Sequence, residues 1–255
     1  MQNRIFSFDS AKAIKANAFG YLNGIHYMAP ASTSGFNLCP WSTASCRALC
    51  LGWFSGQAAM VADAAGLSAQ GNAVRQSRID KATRFMRDRR AYMSDVVKSI
   101  ELAQRKAKKE KLMLCIRLNG STDIAWEGVA VERAGVPFRN IFEAFPEVSF
   151  VDYTKGAKRL YRDLPENYHL TLSYTGENEA ECIKALAAGH NVAVCFDALP
   201  ARFWGFPVID GDKSDLRHLD PKGVVVGLLP KGRLAKKDDS GFVVRRVANL
   251  APLAA

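Results

Sequence analysis

Leu112-Met113-Leu114-Cys115-Ile116-Arg117-Leu118-Asn119-Gly120-Ser121-Thr122-Asp123 is the stretch that decides the fold. A short run, apolar on both parities, passes straight into a polar turn containing glycine. A strand with one wet face would alternate, whereas a strand covered on both faces reads as a nearly continuous apolar run. Similar runs follow at Val148–Thr154, His169–Tyr174, Asn191–Phe196, Pro207–Asp210 and Val224–Leu229. Helical patterns fill several intervals, at Trp126–Ala134, Asn140–Phe145 and Glu177–Ala188. Strands alternating with helices predict parallel βαβ units. Roughly six of them predict an α/β fold, either a complete or partial (β/α) TIM-like barrel or, as the alternative, an open α/β sheet.

In such folds functional groups gather at the C-terminal ends of the strands. Those ends carry Arg117, Asn119 and Asp123, then Lys155, Ser173, Asp197, Asp210 and Lys231. Side chains alternate along a strand, so Cys115, Arg117 and Asn119 are expected to share one face. The same parity groups His169, Thr171 and Ser173, and also Ala193, Cys195 and Asp197. A face this polar does not make a dry core. It predicts a pocket at the barrel mouth that binds a polar, anionic small molecule through the eight residues named above. Lys231-Gly232 follows a late strand, where phosphate-holding turns occur in barrels. The acidic run Asp210-Gly211-Asp212-Lys213-Ser214-Asp215 is no EF-hand, because Pro221 stands at the twelfth position, where Glu is needed. A turn, or ion pairs to Lys213 and Arg217, is expected there.

Upstream of the deciding stretch, Asn72–Lys111 reads as one long helix or two. Ile79, Ala82, Phe85, Met86, Met93, Val96, Val97 and Ile100 recur at three- and four-residue steps. Formal net charge is +10, and thirteen Lys or Arg against five acids between Arg75 and Lys111 account for +8 of it. A solvated helix face explains such a run; contact with nucleic acid through Arg87, Arg89 and Arg90 is the functional alternative.

Residues 1–38 read as short irregular or β elements, and Gly52–Gly71 is rich in Ala and Gly. Between them stands Cys39-Pro40-Trp41-Ser42-Thr43-Ala44-Ser45-Cys46-Arg47-Ala48-Leu49-Cys50. Three soft donors so close together suit a metal centre better than core packing. Cys46 and Cys50 are four apart and share a side of a helical turn, while Cys39 approaches from a loop. Local cysteine triplets are typical of iron–sulfur clusters, with [4Fe-4S] as the expected type. Zinc is the second reading, although a six-residue gap is unusual for it, and unligated thiols the third. With three cysteines on a cubane, one iron lacks a protein thiolate. Cys115 or Cys195 is a candidate to complete it, against the commoner role of a small buried residue. Cys182 is expected to pack, and His26 is the histidine nearest the triplet.

The 255 residues, 48% hydrophobic, suffice for one α/β domain. Its parts are a Cys-cluster segment (1–70), a basic helical segment (72–111) and βα repeats (112–232). No run of 18 apolar residues and no secretory signal is present, so no membrane partner and a cytoplasmic location are expected. Thiols would then stay reduced. Walker loops and serine-nucleophile motifs are absent. Residues 233–255 read as a terminal strand or loop with an apolar tail.

In order along the chain stand Cys39-Pro40…Cys46…Cys50, the basic helix, Arg117-Leu118-Asn119-Gly120-Ser121-Thr122-Asp123 with Trp126, and Asp152-Tyr153-Thr154-Lys155. Ser173-Tyr174, Asp210-Gly211-Asp212 with Asp215-Leu216-Arg217, and Gly227…Lys231-Gly232 follow. This set resembles the gene product 88 family of phage- and plasmid-borne proteins, from about Phe19 to Gly232. The resemblance implies an iron–sulfur protein with a barrel like that of radical SAM (S-adenosylmethionine) enzymes, in a phage or plasmid host. The intervals of six and three residues differ from the three and two of the usual radical SAM triplet. Two functions are therefore expected in competition. One is an enzyme using its cluster as a Lewis acid or with SAM. The other is a nucleic-acid-binding protein whose iron–sulfur or zinc centre is structural or redox-sensing.

Overall fold

The run from Met113 to Arg117 is a strand, and so is the centre of each of the five runs after it. The computed structural model describes residues 5–54, 62–63, 66–67 and 72–245. Most of the Ala/Gly-rich stretch before Asn72 and the tail after Arg245 therefore lie outside the described residues. The main sheet has ten strands. They are β1 (Phe6–Ser7), β2 (Tyr21–His26), β3 (Met113–Arg117), β4 (Ser149–Thr154), β5 (Tyr168–Ser173), β6 (Val192–Phe196), β7 (Arg202–Phe203), β8 (Phe206–Asp210), β9 (Val225–Leu228) and β10 (Val243–Val244).

The path runs β1-β2-β3-β4-β5-β6-β9-β8-β7, and β10 lies beside the end of β6. Every pairing from β2 to β8 is parallel. Only the edge strands β1 and β7 run antiparallel to their neighbours. Cys115 sits in register between Asn23 and Ser149.

The expected complete barrel is not what the sheet forms: among the described residues its path has two ends. Where β2 and β8 would have to join, other groups intervene. Lys15, the last residue of α1 (Ala11–Lys15), donates from Nζ to the Asp212 carbonyl at 2.9 Å. The ring of Tyr21 meets His218 edge-on at 4.8 Å. His218 belongs to a 3-10 turn, Arg217–Leu219, which lies against β4 and β5. Leu216 just before it packs with Tyr21, Cys115 and Val151, all on one parity of the sheet. The segment around this turn thus covers the inner face.

The other face is closed by helices. A five-residue turn of helix, α2 (Ala44–Ala48), lies in the cysteine segment. The basic region is two helices, α3 (Ala73–Arg87) and α4 (Arg89–Glu110). Asp88, at φ −138°, ends the first and starts the second, and its side chain accepts from the Ala91 N–H. On α4, Tyr92, Met93, Val96, Val97, Ile100, Ala103 and Ala107 are buried at three- and four-residue steps. They pack on the face of β2 and β3 that carries Leu22, Leu114 and Ile116. Full burial of each large apolar side chain contributes roughly 1.5–3 kcal/mol. Downstream, α5 (Glu179–Ala187) buries Cys182, Ala185 and Leu186 against β5 and β6. Cys182 is a packing residue, as its sequence context predicts.

Two expected elements differ. Trp126–Ala134 is not a helix: one 3-10 turn, Trp126–Gly128, leads into a hairpin of Val131–Arg133 with Val136–Phe138. Ala134 and Gly135, both at positive φ (51° and 79°), make the two-residue turn whose twist suits a hairpin. The tail from Gly232 gives a short helix, Gly232–Lys236, before β10.

Candidate functional site

The cysteine segment lies over the C-terminal edge of the sheet, where the loops after β3, β4 and β5 meet it. The Asp123 N–H donates to the Leu38 carbonyl at 2.9 Å. The Ser45 hydroxyl donates to the Thr175 carbonyl at 3.3 Å. Gly52 approaches so closely that a Cβ there would lie 2.9 Å from Ser121 and 3.1 Å from Pro30. Gly156 is pressed onto the Trp41 indole in the same way, at 2.8 Å. Thr43 caps α2 by accepting from the Cys46 N–H, which fixes the turn carrying Cys46 just before Cys50.

None of the six cysteines forms a disulfide, and Cys39, Cys46 and Cys50 are each partly buried. The Cys39 sulfur accepts from the Ala31 N–H at 3.2 Å and lies 3.9 Å from the Ser121 carbonyl. Burial pushes the Cys39 thiol up to about 12; the Ala31 N–H opposes this, and the charges of Cys50, Asp123 and Cys46 add to it. Cys50 and Cys46 thus both bear on the charge of Cys39. Among the described residues no three His, Cys, Asp or Glu side chains converge on a point where one ion would sit. A cubane asks for less convergence, since each thiolate binds a different iron.

Arg78 approaches the triplet from α3. Its Nη1 donates to the Gly52 carbonyl at 2.7 Å, and its guanidinium lies 4.7 Å from the centre of the Tyr27 ring. Burial disfavours its charge, while Tyr27 and Cys50 favour it. Two further cations of α3, Arg75 and Lys81, are buried on the same helix; burial and Arg78 lower Lys81 to about 8. The basic run is thus not wholly a solvated face.

Most of the expected substrate-binding residues hold the edge together. Strand alternation stops with β3 at Arg117, so Asn119 turns to the helix-covered side. There its N–H and Nδ2 bond Asp152 at 2.6 and 3.1 Å, and its Oδ1 accepts from Thr122, Ile124 and the Trp126 indole. Asp123 accepts the Lys155 N–H at 2.8 Å and pairs with Arg159 at 2.9 Å. Arg159, almost fully buried, also pairs with Glu127 at 2.7 Å and donates to Thr154 and Tyr168. Burial raises Asp152 to about 7, against the opposing pull of the Asn119 N–H, Arg117 and Arg159.

Arg117 stays on the inner face, ion-paired with Asp215 at 3.6 Å and 4.6 Å from the Tyr153 ring centre. Asp210 accepts the Asp212 N–H and forms the expected turn. Asp212 pairs with Lys231 at 2.6 Å, and Arg217 pairs with Asp220 at 3.1 Å and donates to the Ser214 carbonyl. Ser173 gives its carbonyl to Asn178, and Asp197 is exposed after β6. His26 is buried between the Leu118 carbonyl (3.1 Å) and the Tyr92 hydroxyl (2.6 Å), away from the thiols. Cys115 is fully buried mid-strand, 3.9 Å from His218 Nδ1. Cys195 lies near Asp212 and Asp238.

A pocket of about 520 Å³ opens beside the cysteine segment, lined by Trp41 and Thr43 on that segment and by Lys155, Lys158, Glu177 and Glu181 on the loops and helix below. Of these only Lys155 is foreseen from sequence as a binding residue. Trp41 stood inside the quoted triplet, and the 155–158 spacing could have flagged Lys158. Arg87, Arg89 and Arg90 are exposed where α3 meets α4. Arg89 lies over the Phe85 ring, and Arg90 pairs with Glu132 at 3.2 Å.

No curated protein and no solved structure gives a significant match to this chain. The model of the family described as Gene product 88 matches residues 4–246, which span the cysteine segment, the helices and the whole sheet. The chain belongs to the gene product 88 family.

Proposed function

We propose that this protein is an iron–sulfur protein, with Cys39, Cys46 and Cys50 holding a [4Fe-4S]-type cluster over the C-terminal edge of the sheet. The observation that carries the reading is three undisulfided cysteines within twelve residues, on a segment laid over the edge where parallel α/β folds place their chemistry. Soft thiolates match iron–sulfur centres, and a cluster with one iron lacking a protein thiolate supplies Lewis-acid or SAM-directed redox chemistry. This chain's own contribution is positional. Trp41, held by Gly156, anchors the loop between Cys39 and Cys46. Arg78 brings a cation to Cys50 and ties Gly52. Binding must displace a proton from Cys39, so loading favours alkaline conditions.

Protein purified without oxygen should be brown and carry iron and acid-labile sulfide. Changing the three cysteines to serine should remove both. A colourless, iron-free preparation under those conditions refutes the reading. Addition of SAM and dithionite separates the enzymatic versions. SAM cleavage, or an altered EPR signal on SAM addition, supports a radical mechanism; neither leaves the Lewis-acid or sensing role.

A second reading rests on the exposed Arg87, Arg89 and Arg90 together with the exposed cations Lys98, Arg105, Lys108 and Lys109 of α4. These could hold a nucleic-acid backbone. Affinity that falls steeply with salt, and falls further when the three arginines are replaced, would support it; flat salt dependence would end it.

A further inference from the structure

The pocket beside the cysteine segment has two charged walls of opposite sign. Lys155 and Lys158 stand on the wall after β4, and Arg162 extends it. Glu177 and Glu181 stand on the wall that leads into α5. Among the described residues no ion pair joins the two walls. Arg159 is spent on Asp123 and Glu127, and Arg162 reaches back to Glu127 at 3.3 Å. The remaining polar side chains are also committed. Asn178 accepts from Thr175 and donates to the Ser173 carbonyl, and Thr43 accepts from the Cys46 N–H. What faces the pocket with capacity left is therefore two ammonium groups on one side and two carboxylates on the other. The N-terminal end of α5 favours negative charge at Glu181. Trp41 supplies an apolar surface at the same pocket, and about 520 Å³ lies within the range of small-molecule sites.

We infer that this pocket binds a zwitterion, an α-amino acid or short peptide whose carboxylate meets Lys155 and Lys158 and whose ammonium meets Glu177 and Glu181. An anion alone would face the two carboxylates, and a cation alone the two lysines; a ligand carrying both charges satisfies both walls. This refines the anionic small molecule expected from sequence into a dipolar one. It deepens the proposed enzymatic reading by naming a substrate class, yet the binding itself needs no iron.

The test uses the full-length protein in iron-free and reconstituted forms. Calorimetry is run with the common L-amino acids, with alanyl and tryptophyl dipeptides, and with SAM, which carries the same aminocarboxylate. The best binder is then offered as its N-acetyl derivative and as its methyl ester. A charge-assisted hydrogen bond contributes enough that capping either end should weaken binding about tenfold or more. Lys155→Met should weaken the free acid but spare the methyl ester. Glu181→Gln should weaken the free amine but spare the N-acetyl form. Both positions are at the pocket rim, and far-ultraviolet circular dichroism checks that each variant is folded. SAM as the only binder assigns the pocket to the cosubstrate; a free amino acid or dipeptide as the tighter binder assigns it to the substrate. Absence of binding by every probe, or equal binding of capped and uncapped forms, overturns the inference. Because iron and sulfide are assayed separately, failure of the pocket and failure of the cluster give different results.

Discussion

The loop network after β3 and β4 and the cysteine segment above it are neighbours on one edge of the sheet, yet they use their polar atoms differently. In the network Asn119, Asp123, Asp152, Arg159 and Tyr168 bond one another, and the Arg159 guanidinium alone reaches four side chains. In the segment the Cys39 sulfur receives one backbone N–H, and none of the three cysteines forms a disulfide. Buried polar groups that are fully bonded stabilise and orient; they have no lone pair or proton left for a ligand. Both regions are rich in residue types that do chemistry. The network is a platform beneath the segment, and the segment carries the soft donors.

Breaking the platform should have the largest effect. Arg159→Leu leaves the buried Asp123 without its ion-pair partner and Glu127 with only the exposed Arg162, which costs about 3–5 kcal/mol. Chemical denaturation should show that loss as a lower midpoint with unchanged slope. A loss below about 1 kcal/mol would mean that the network is dispensable, and the contrast with the cysteine segment would collapse.

That contrast also marks how far the sequence could be read. The apolar runs located six strands to within two residues, because strands covered on both faces carry a strong local signal. β2 was only half legible: Asn23, Gly24 and His26 interrupt its apolar character, and it is a strand because α4 and β3 bury it. The closed barrel failed for a non-local reason. Nothing near Tyr21 or Asp210 says that Lys15 and the turn at Arg217–Leu219 will occupy the gap between them. Among the candidate site residues, the cysteine triplet stands out by spacing alone. Asn119 leaves the inner face expected for it because alternation holds only while the strand lasts, and β3 ends two residues earlier. Arg78 was hidden in a run of thirteen cations, since sequence does not distinguish the one turned inward to Gly52.

A smaller effect is expected from acid. His26 joins the platform to α4, bonding the Leu118 carbonyl and the Tyr92 hydroxyl. Burial, and then Lys81, lower it from 6.5 to about 3, against the pull of the Leu118 carbonyl. The unfolded chain binds a proton there before the folded one does. Stability from this group is therefore complete above pH 6.5 and is lost as pH falls towards 3. Asp152 acts with the opposite sign, since its raised value costs stability as pH climbs from about 4 to 7. The two must be separated. His26→Gln, which can still bond both partners, should lose less stability than the parent between pH 6 and 4, by on the order of 1–3 kcal/mol at the lower end. Parallel pH profiles for parent and variant would show that His26 is not held neutral.

The smallest stability change, and the most informative about the thiols, belongs to Arg78. Its guanidinium touches the Gly52 carbonyl and the Tyr27 ring, and its charge acts on Cys50. If the proposed cluster sits on the triplet, reduction adds negative charge beside this cation. Arg78→Gln keeps a donor for Gly52 but removes the charge, so the reduced state loses stabilisation and the reduction potential moves to a more negative value. Arg78→Lys keeps the charge and should hold the potential closer to the parent's. The stability cost of either change should stay near 1 kcal/mol, the value of one hydrogen bond to a backbone carbonyl. A protein film voltammogram of parent and both variants decides between two roles. A shift in Gln and not in Lys makes Arg78 an electrostatic partner of the thiols; identical potentials in all three reduce it to a clamp on Gly52, and the cysteine half of the edge would then owe no charge to α3.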